Sequence, residues 1–175
     1  MTAGSYIIGC NFLFCPSGTV LAGGNASITQ APVDVTDDAT YIDFPCVDSA
    51  EFSTSCKDVS VFCPSPGVRV RTAVISTNLE QSWKITLKEQ SSQIMRIMFG
   101  ASSITASSPY VTGTTCRREG WVRLMMYDQS NNVWQKVNFW GSIRPDGTIN
   151  FNDDVVQVAL NIDVIYAAGN KVTET

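Results

Sequence analysis

The chain contains no histidine. That absence excludes Ser-His-Asp and Cys-His nucleophilic catalysis, the two-histidine-carboxylate metal centre and the commonest general base. Charge is also scarce: 16% of residues are charged, against roughly a quarter in an ordinary soluble domain. A surface so poor in charge is suited to being covered, and another copy of the chain is a plausible cover. No apolar run is long enough to span a bilayer. The opening MTAGSYIIGCNFLF lacks the basic region and small-residue cleavage site of a signal peptide. The expectation is therefore folding in the cytosol of the producing cell, with no membrane partner.

The six cysteines, Cys10, Cys15, Cys46, Cys56, Cys63 and Cys116, include no Cys-x2-Cys pair. Without such pairs or histidine, a zinc site is not expected. Reduced thiols packing as small hydrophobes are the default in a cytosol, and the even count leaves later disulfides open. Ala22-Gly23-Gly24-Asn25 lacks the Lys and Ser/Thr of a phosphate-binding loop and reads as a turn. The carboxylate pairs Asp37-Asp38 and Asp153-Asp154 are sequence neighbours, which point apart on a strand and both face water in a loop. No catalytic residue, metal ligand or cofactor is expected, and the chain reads as non-enzymatic.

What is present is enough apolar material for one core: 44% of 175 residues, sufficient for a single domain spanning 1–175 without metal or disulfide support. The net charge of −4 argues against phosphate gripping. The distribution is uneven. Residues 31–60 hold Asp34, Asp37, Asp38, Asp43, Asp48, Glu51 and Asp58 against Lys57 alone. Residues 69–123 hold Arg69, Arg71, Lys84, Lys88, Arg96, Arg117, Arg118 and Arg123 against three glutamates. Such patches either meet head to tail between copies or meet within one chain.

Strand periodicity dominates. Val156, Val158, Leu160, Ile162, Val164 and Tyr166 alternate with small or polar residues from Val155 to Tyr166, as a half-buried strand requires. Further strands are expected at Val68 to Thr77, Glu80 to Lys88, Trp121 to Tyr127 and Val133 to Ile143. In the second of these, Trp83, Ile85 and Leu87 point inward. Asp146-Gly147 should then turn the chain into Thr148–Phe151. One helix, at about residues 91–99, is capped by Ser91 or Ser92 and ended by Gly100, with Ile94, Ile97 and Met98 packing on the core. The stretch at about 41–67, with Pro45, Pro64, Pro66 and Gly67, breaks periodicity and reads as a long loop or irregular hairpin. Strands, one short helix and three more strands imply a mainly β fold: a β-sandwich or half-barrel of antiparallel strands with one flanking helix.

The segment STNLEQSWKITLKEQSSQIMRIMFG, Ser76 to Gly100, joins a strand with a Thr-Leu-x-Glu ending to a Ser and a short apolar helix closing on Gly. It resembles the central signature of the major tail tube proteins of long, non-contractile-tailed bacteriophages. The later elements agree: strands near Trp121 and Val133, a turn, a Phe-x-Asp-Asp stretch and a long alternating last strand. Ser5–Gly9 and Asn25–Val35 are compatible with that family's opening, and the likeness covers most of the chain as a pattern of elements. The cysteines and the 41–67 stretch depart from it.

The resemblance implies a tail-tube-like fold and a structural virion protein. It implies homohexameric rings stacked into a tube that holds a tape-measure protein and later passes genomic DNA during ejection. Tail tip and terminator proteins would be further partners, with assembly in the host bacterial cytoplasm and final residence in the virion tail. On that reading Ser82, Lys84, Thr86, Gln157, Ala159, Asn161 and Asp163 are candidates to face the lumen. Asp43, Asp48, Glu51 and Asp58 are candidates to meet Arg69, Arg71, Arg117 or Arg118 of the next ring. A tail terminator, distal tail or decoration protein is the alternative within virions. From a different class, a monomeric carbohydrate-binding β-sandwich would display Trp121, Trp134 and Trp140.

Overall fold

In the computed structural model, residues 9–34, 36–44, 46–65, 68–88, 91–104, 111–147 and 157–174 are described, the side chains of 63–65, 68–72 and 77 excepted. Ten strands and one α-helix follow one another among them: β1 (Gly9–Pro16), β2 (Val20–Leu21), β3 (Gly24–Asn25), β4 (Ile42–Phe44), β5 (Val47–Ser65), β6 (Val68–Leu87), α1 (Ser92–Met98), β7 (Arg118–Tyr127), β8 (Val133–Asp146), β9 (Val158–Ile165) and β10 (Lys171–Glu174). The main sheet runs β4-β1-β7-β8-β9-β6-β5 with β10 also on β8, and every pairing is antiparallel. Its two ends, β4 and β5, are joined by residues 45 and 46 alone. Three Cα steps cover at most about 11 Å, so the sheet must roll until its ends meet. The result is a half-barrel. Cys46 turns that corner with φ at +62°, and its carbonyl accepts the Lys88 N–H at 3.1 Å.

The roll encloses the main core. Phe12 and Phe14 from β1, Val122 and Leu124 from β7, Ile85 and Leu87 from β6, and Leu160 and Ile162 from β9 are all fully buried. Helix α1 closes this core as expected. Ser91 Oγ accepts the Ile94 N–H, Ile94 and Ile97 are buried in the core, and Met98 packs against it. Gly100 ends the helix at φ +61°, where a Cβ would lie 2.7 Å from the Thr115 carbonyl. A second, smaller cluster on the other face of β1, β7 and β8 gathers Cys15, Leu21, Tyr41, Trp121 and Trp140.

Arg123 and Asp37 pin the loop that covers this second cluster. Arg123, 3% exposed, bonds Asn138 Oδ1 at 2.9 Å and Asp34 at 2.7 Å, pairs with Asp38, and lies over the Tyr41 ring. Asp37 is buried, contrary to the expectation that both members of Asp37-Asp38 face water. Its carboxylate accepts the backbone N–H groups of Ala22 and Val33 at 2.9 and 2.8 Å. These otherwise orphaned donors justify burying the charge. Replacing Arg123 with Met keeps the stem but strands Asn138. A loss of about 3 kcal/mol is expected, at the low end for a broken buried pair because both acids reach solvent. Thermal unfolding would register it as a fall of roughly 6–12 °C.

Several expectations need correction. The strands expected at 68–77 and 80–88 are one continuous strand, β6. Among the described residues four strands follow the helix, not three, because β10 returns to β8. Tyr166 lies beyond β9 and is 86% exposed, so it does not extend the apolar face. Residues 148–156, which carry the expected turn into Phe151, Asp153-Asp154, Val155 and Val156, lie outside the described residues, as do Ser5–Ile8.

Candidate functional site

Two surfaces stand out, and the chain's own register builds both. The first is the outer face of β8, β9, β6 and β5. Cross-strand partners point to the same side of a sheet. Arg144, Asn161, Lys84 and Glu51 form one row across it; Ser142, Asp163, Ser82 and Ser53 form the next; Asp146, Ala159, Thr86 and Ser49 form a third. The rows between them, such as Ile143, Ile162 and Trp83, face the core. Ser82, Lys84, Thr86, Ala159, Asn161 and Asp163 therefore share one face, and exposed Gln157 directly precedes it.

This face is nearly neutral. Lys84 Nζ meets Asp146 at 2.9 Å, and that hydrogen bond holds its ammonium pKa above the usual value, with Glu51 adding to the effect. Asp163 receives Arg117 at 3.2 Å and lies 3.9 Å from Arg144. Glu80, one step along, faces the same way. Three cations thus stand among four carboxylates. Such a face offers polyanions no net positive charge.

The second surface is a hairpin arm. The last pair between β6 and β9 is Ser82 with Asp163. Beyond it, among the described residues, residues 68–81 of β6 pair only with residues 54–65 of β5. Twelve residues of strand make a ribbon about 40 Å long. Its large apolar side chains are open: Val59 is 46% exposed, Phe62 51%, Ile75 53% and Leu79 65%. A lone two-stranded ribbon is marginally stable in water, and two strand edges here carry unsatisfied ladder groups.

One strand of the arm comes from the 41–67 stretch, whose described residues form β4 and β5 with Cys46 at the corner between them. Its periodicity breaks because the register slips. Asp48 is skipped near the base, Thr77 lies between Lys57↔Asn78 and Asp58↔Ser76, and Thr72 between Val61↔Ala73 and Phe62↔Arg71. Each slip moves the following residues of that strand to the opposite face.

The charged residues expected to meet another ring are not gathered. Asp43 is exposed on β4, Glu51 belongs to the polar face, and Asp58 accepts a hydrogen bond from Ser76 on the arm. Asp48 pairs with Lys88 at 2.5 Å within the chain, Arg117 is held by Asp163, and Arg118 donates to the Ala101 carbonyl. The side chains of Arg69 and Arg71 lie outside the described set. Part of the acidic and basic segments therefore meet inside one chain, through Arg123 and Lys88. Trp121 and Trp140 offer no sugar-binding platform, since they are 1% and 3% exposed and pack edge to face at 5.7 Å; Trp134 is half-buried. Among the described residues no cluster of His, Cys, Asp or Glu could hold a metal ion.

No family model matches the chain, and comparison with curated proteins gives no match. Among solved structures, a chain of the anti-feeding prophage baseplate, determined by cryo-electron microscopy with 6-fold symmetrisation, superposes with a TM-score of 0.50. It shares 9% identity, over 99% of this chain and 98% of that one. A chain from the tail of an empty GTA particle, computed with C6 helical refinement, gives a TM-score of 0.42 at 10% identity, over 82% and 92%. The first likeness extends over the whole length and shows a shared fold: mainly antiparallel β, with one α-helix among the described residues.

Proposed function

We propose that this chain is a non-catalytic structural subunit of a phage-tail-like particle and works by polymerising with itself. The observation that carries the reading is the arm: about 40 Å of two-stranded ribbon, with open apolar side chains and bare edges, on an otherwise folded domain. A ribbon of this kind becomes stable when neighbours complete it. In the finer form of the proposal, six subunits close a ring and rings stack into a tube. The near-neutral face of β5, β6, β8 and β9 lines the channel, where Ser82, Lys84, Thr86, Gln157, Ala159, Asn161 and Asp163 let tape-measure protein and then DNA pass without adhering. The resemblance of the Ser76–Gly100 segment supports the tube, and the likeness to a chain of a baseplate supports the wider class.

A baseplate or distal-tail ring component is the second reading, favoured by the baseplate likeness. Negative-stain microscopy of the concentrated protein separates the two. Hollow tubes support the tube subunit, isolated rings that never stack support the ring component, and monomers alone refute both.

Thiol labelling gives an independent check. Cys46, Cys56 and Cys116 are exposed, whereas Cys15 is buried and burial pushes the Cys10 thiol up to about 11 from 9.0. In dispersed protein at pH 8, iodoacetamide is expected to modify the first three and spare Cys10 and Cys15. In the assembled particle Cys56, on the arm, should become protected. The raised Cys10 pKa also sets an alkaline limit: its contribution is intact below pH 9 and is lost as pH rises towards 11. Equal labelling of Cys56 before and after assembly would contradict the role given to the arm.

A further inference from the structure

An apolar groove of about 410 Å³ opens at the base of the arm, lined among others by Phe52, Trp83, Val137, Phe139, Val164 and Val172. It exists because β8 forks. Residues 140–146 of β8 pair with β9, while residues 135–138 pair on the same side with β10. The free edge of β10 therefore faces the base of β5 and β6 across a gap. The floor is the main core itself, since Trp83 stacks on Phe139 at 6.5 Å. Phe52 and Val172, 49% and 57% exposed, stand on opposite rims.

We propose that this groove is the socket for the arm of a neighbouring copy, with a strand seam along the free edge of β10. The proposal rests on the self-assembly reading and gives it a specific contact. Three observations select a second copy as the occupant. The chain's own arm cannot fill the socket, because it departs from the rim, with Gln81 belonging to both. The arm carries apolar residues on both faces. The slip at Thr77 places Val59↔Ile75 on the side opposite Cys56↔Leu79, as suits a ribbon embedded between two walls. Its area also suffices. About 40 Å by about 10 Å, counted on two faces, gives roughly 800 Å² per partner, the standard for a specific interface. Plug and socket are different surfaces, so each copy uses both, and the contact propagates around a ring or along a stack.

The test is complementation. A plug variant, Val59→Asp with Ile75→Asp, keeps the socket. A socket variant, Val172→Arg, keeps the plug and alters only an exposed strand; Val172→Trp, which overfills the groove, serves as its replicate. By analytical ultracentrifugation the wild type should assemble and each variant alone should remain monomeric. The mixture should give a capped one-to-one heterodimer, which also shows that both variants are folded. Socket variants that assemble like the wild type, or a mixture that yields no heterodimer, overturn the arm-in-groove contact and leave the self-assembly reading standing. A wild type that stays monomeric overturns both.

Discussion

Gly120→Ala is expected to cost more than 3 kcal/mol, beyond the ~1–3 kcal/mol usual for overpacking, and to leave little folded protein at 37 °C. Gly120 sits in the middle of the sheet, opposite Pro16 on β1 and Gly141 on β8. A Cβ there would lie 2.3 Å from the Cys15 carbonyl oxygen and 2.6 and 2.8 Å from two ring carbons of Phe14. The first contact is backbone, and Phe14 is fully buried. Neither can yield without parting β1 from β7, and both cores hang on that seam. Gly9→Ala is the control: it lies at the start of β1, on the same seam with β7, with nothing within 4 Å of the new methyl. It should change stability by less than about 0.5 kcal/mol. Denaturant titration of the two variants checks this, and a Gly120→Ala protein as stable as the control would refute the packing described for β1 and β7.

The largest effect on function should come from removing the arm. Ser55 pairs with Glu80, so residues 56–79 can be replaced by Asn-Gly, which favours the tight turn that joins adjacent strands. The shortened chain keeps every residue of both cores. It should fold with a thermal midpoint close to that of the full chain, and sediment as a monomer at concentrations where the full chain assembles. Loss of folding would mean that the arm supports the domain. Persistent assembly would mean that the interfaces lie elsewhere.

The half-barrel was legible where one face of a strand is buried and the other is not. Trp83, Ile85 and Leu87 alternate with Ser82, Lys84 and Thr86 because β6 has the core on one side there. The same parity placed six lumen candidates on one face. The helix was legible from Ser91, its apolar stripe and Gly100, each with a local cause. Strand β1 was not assigned, although Phe12 and Phe14 alternate with Asn11 and Leu13. Its flanking cysteines and Pro16 obscured a short pattern. The arm resisted for a physical reason: no core imposes a period on residues exposed on both faces, and two slips break the register that remains. Arg123 gave no signal beyond its charge. Its partners Asp34, Asp38 and Asn138 are 89, 85 and 15 positions away in the chain, a proximity that only folding creates.

Amide hydrogen exchange along residues 56–79, followed from dilute protein into the assembled state, tests the arm's completion by other copies most directly. Those amides should exchange fast when the chain is alone. They should slow by roughly a hundredfold or more on assembly, the ~2.7 kcal/mol expected of a partner well above its dissociation constant. Rates that stay equal in both states would contradict the account.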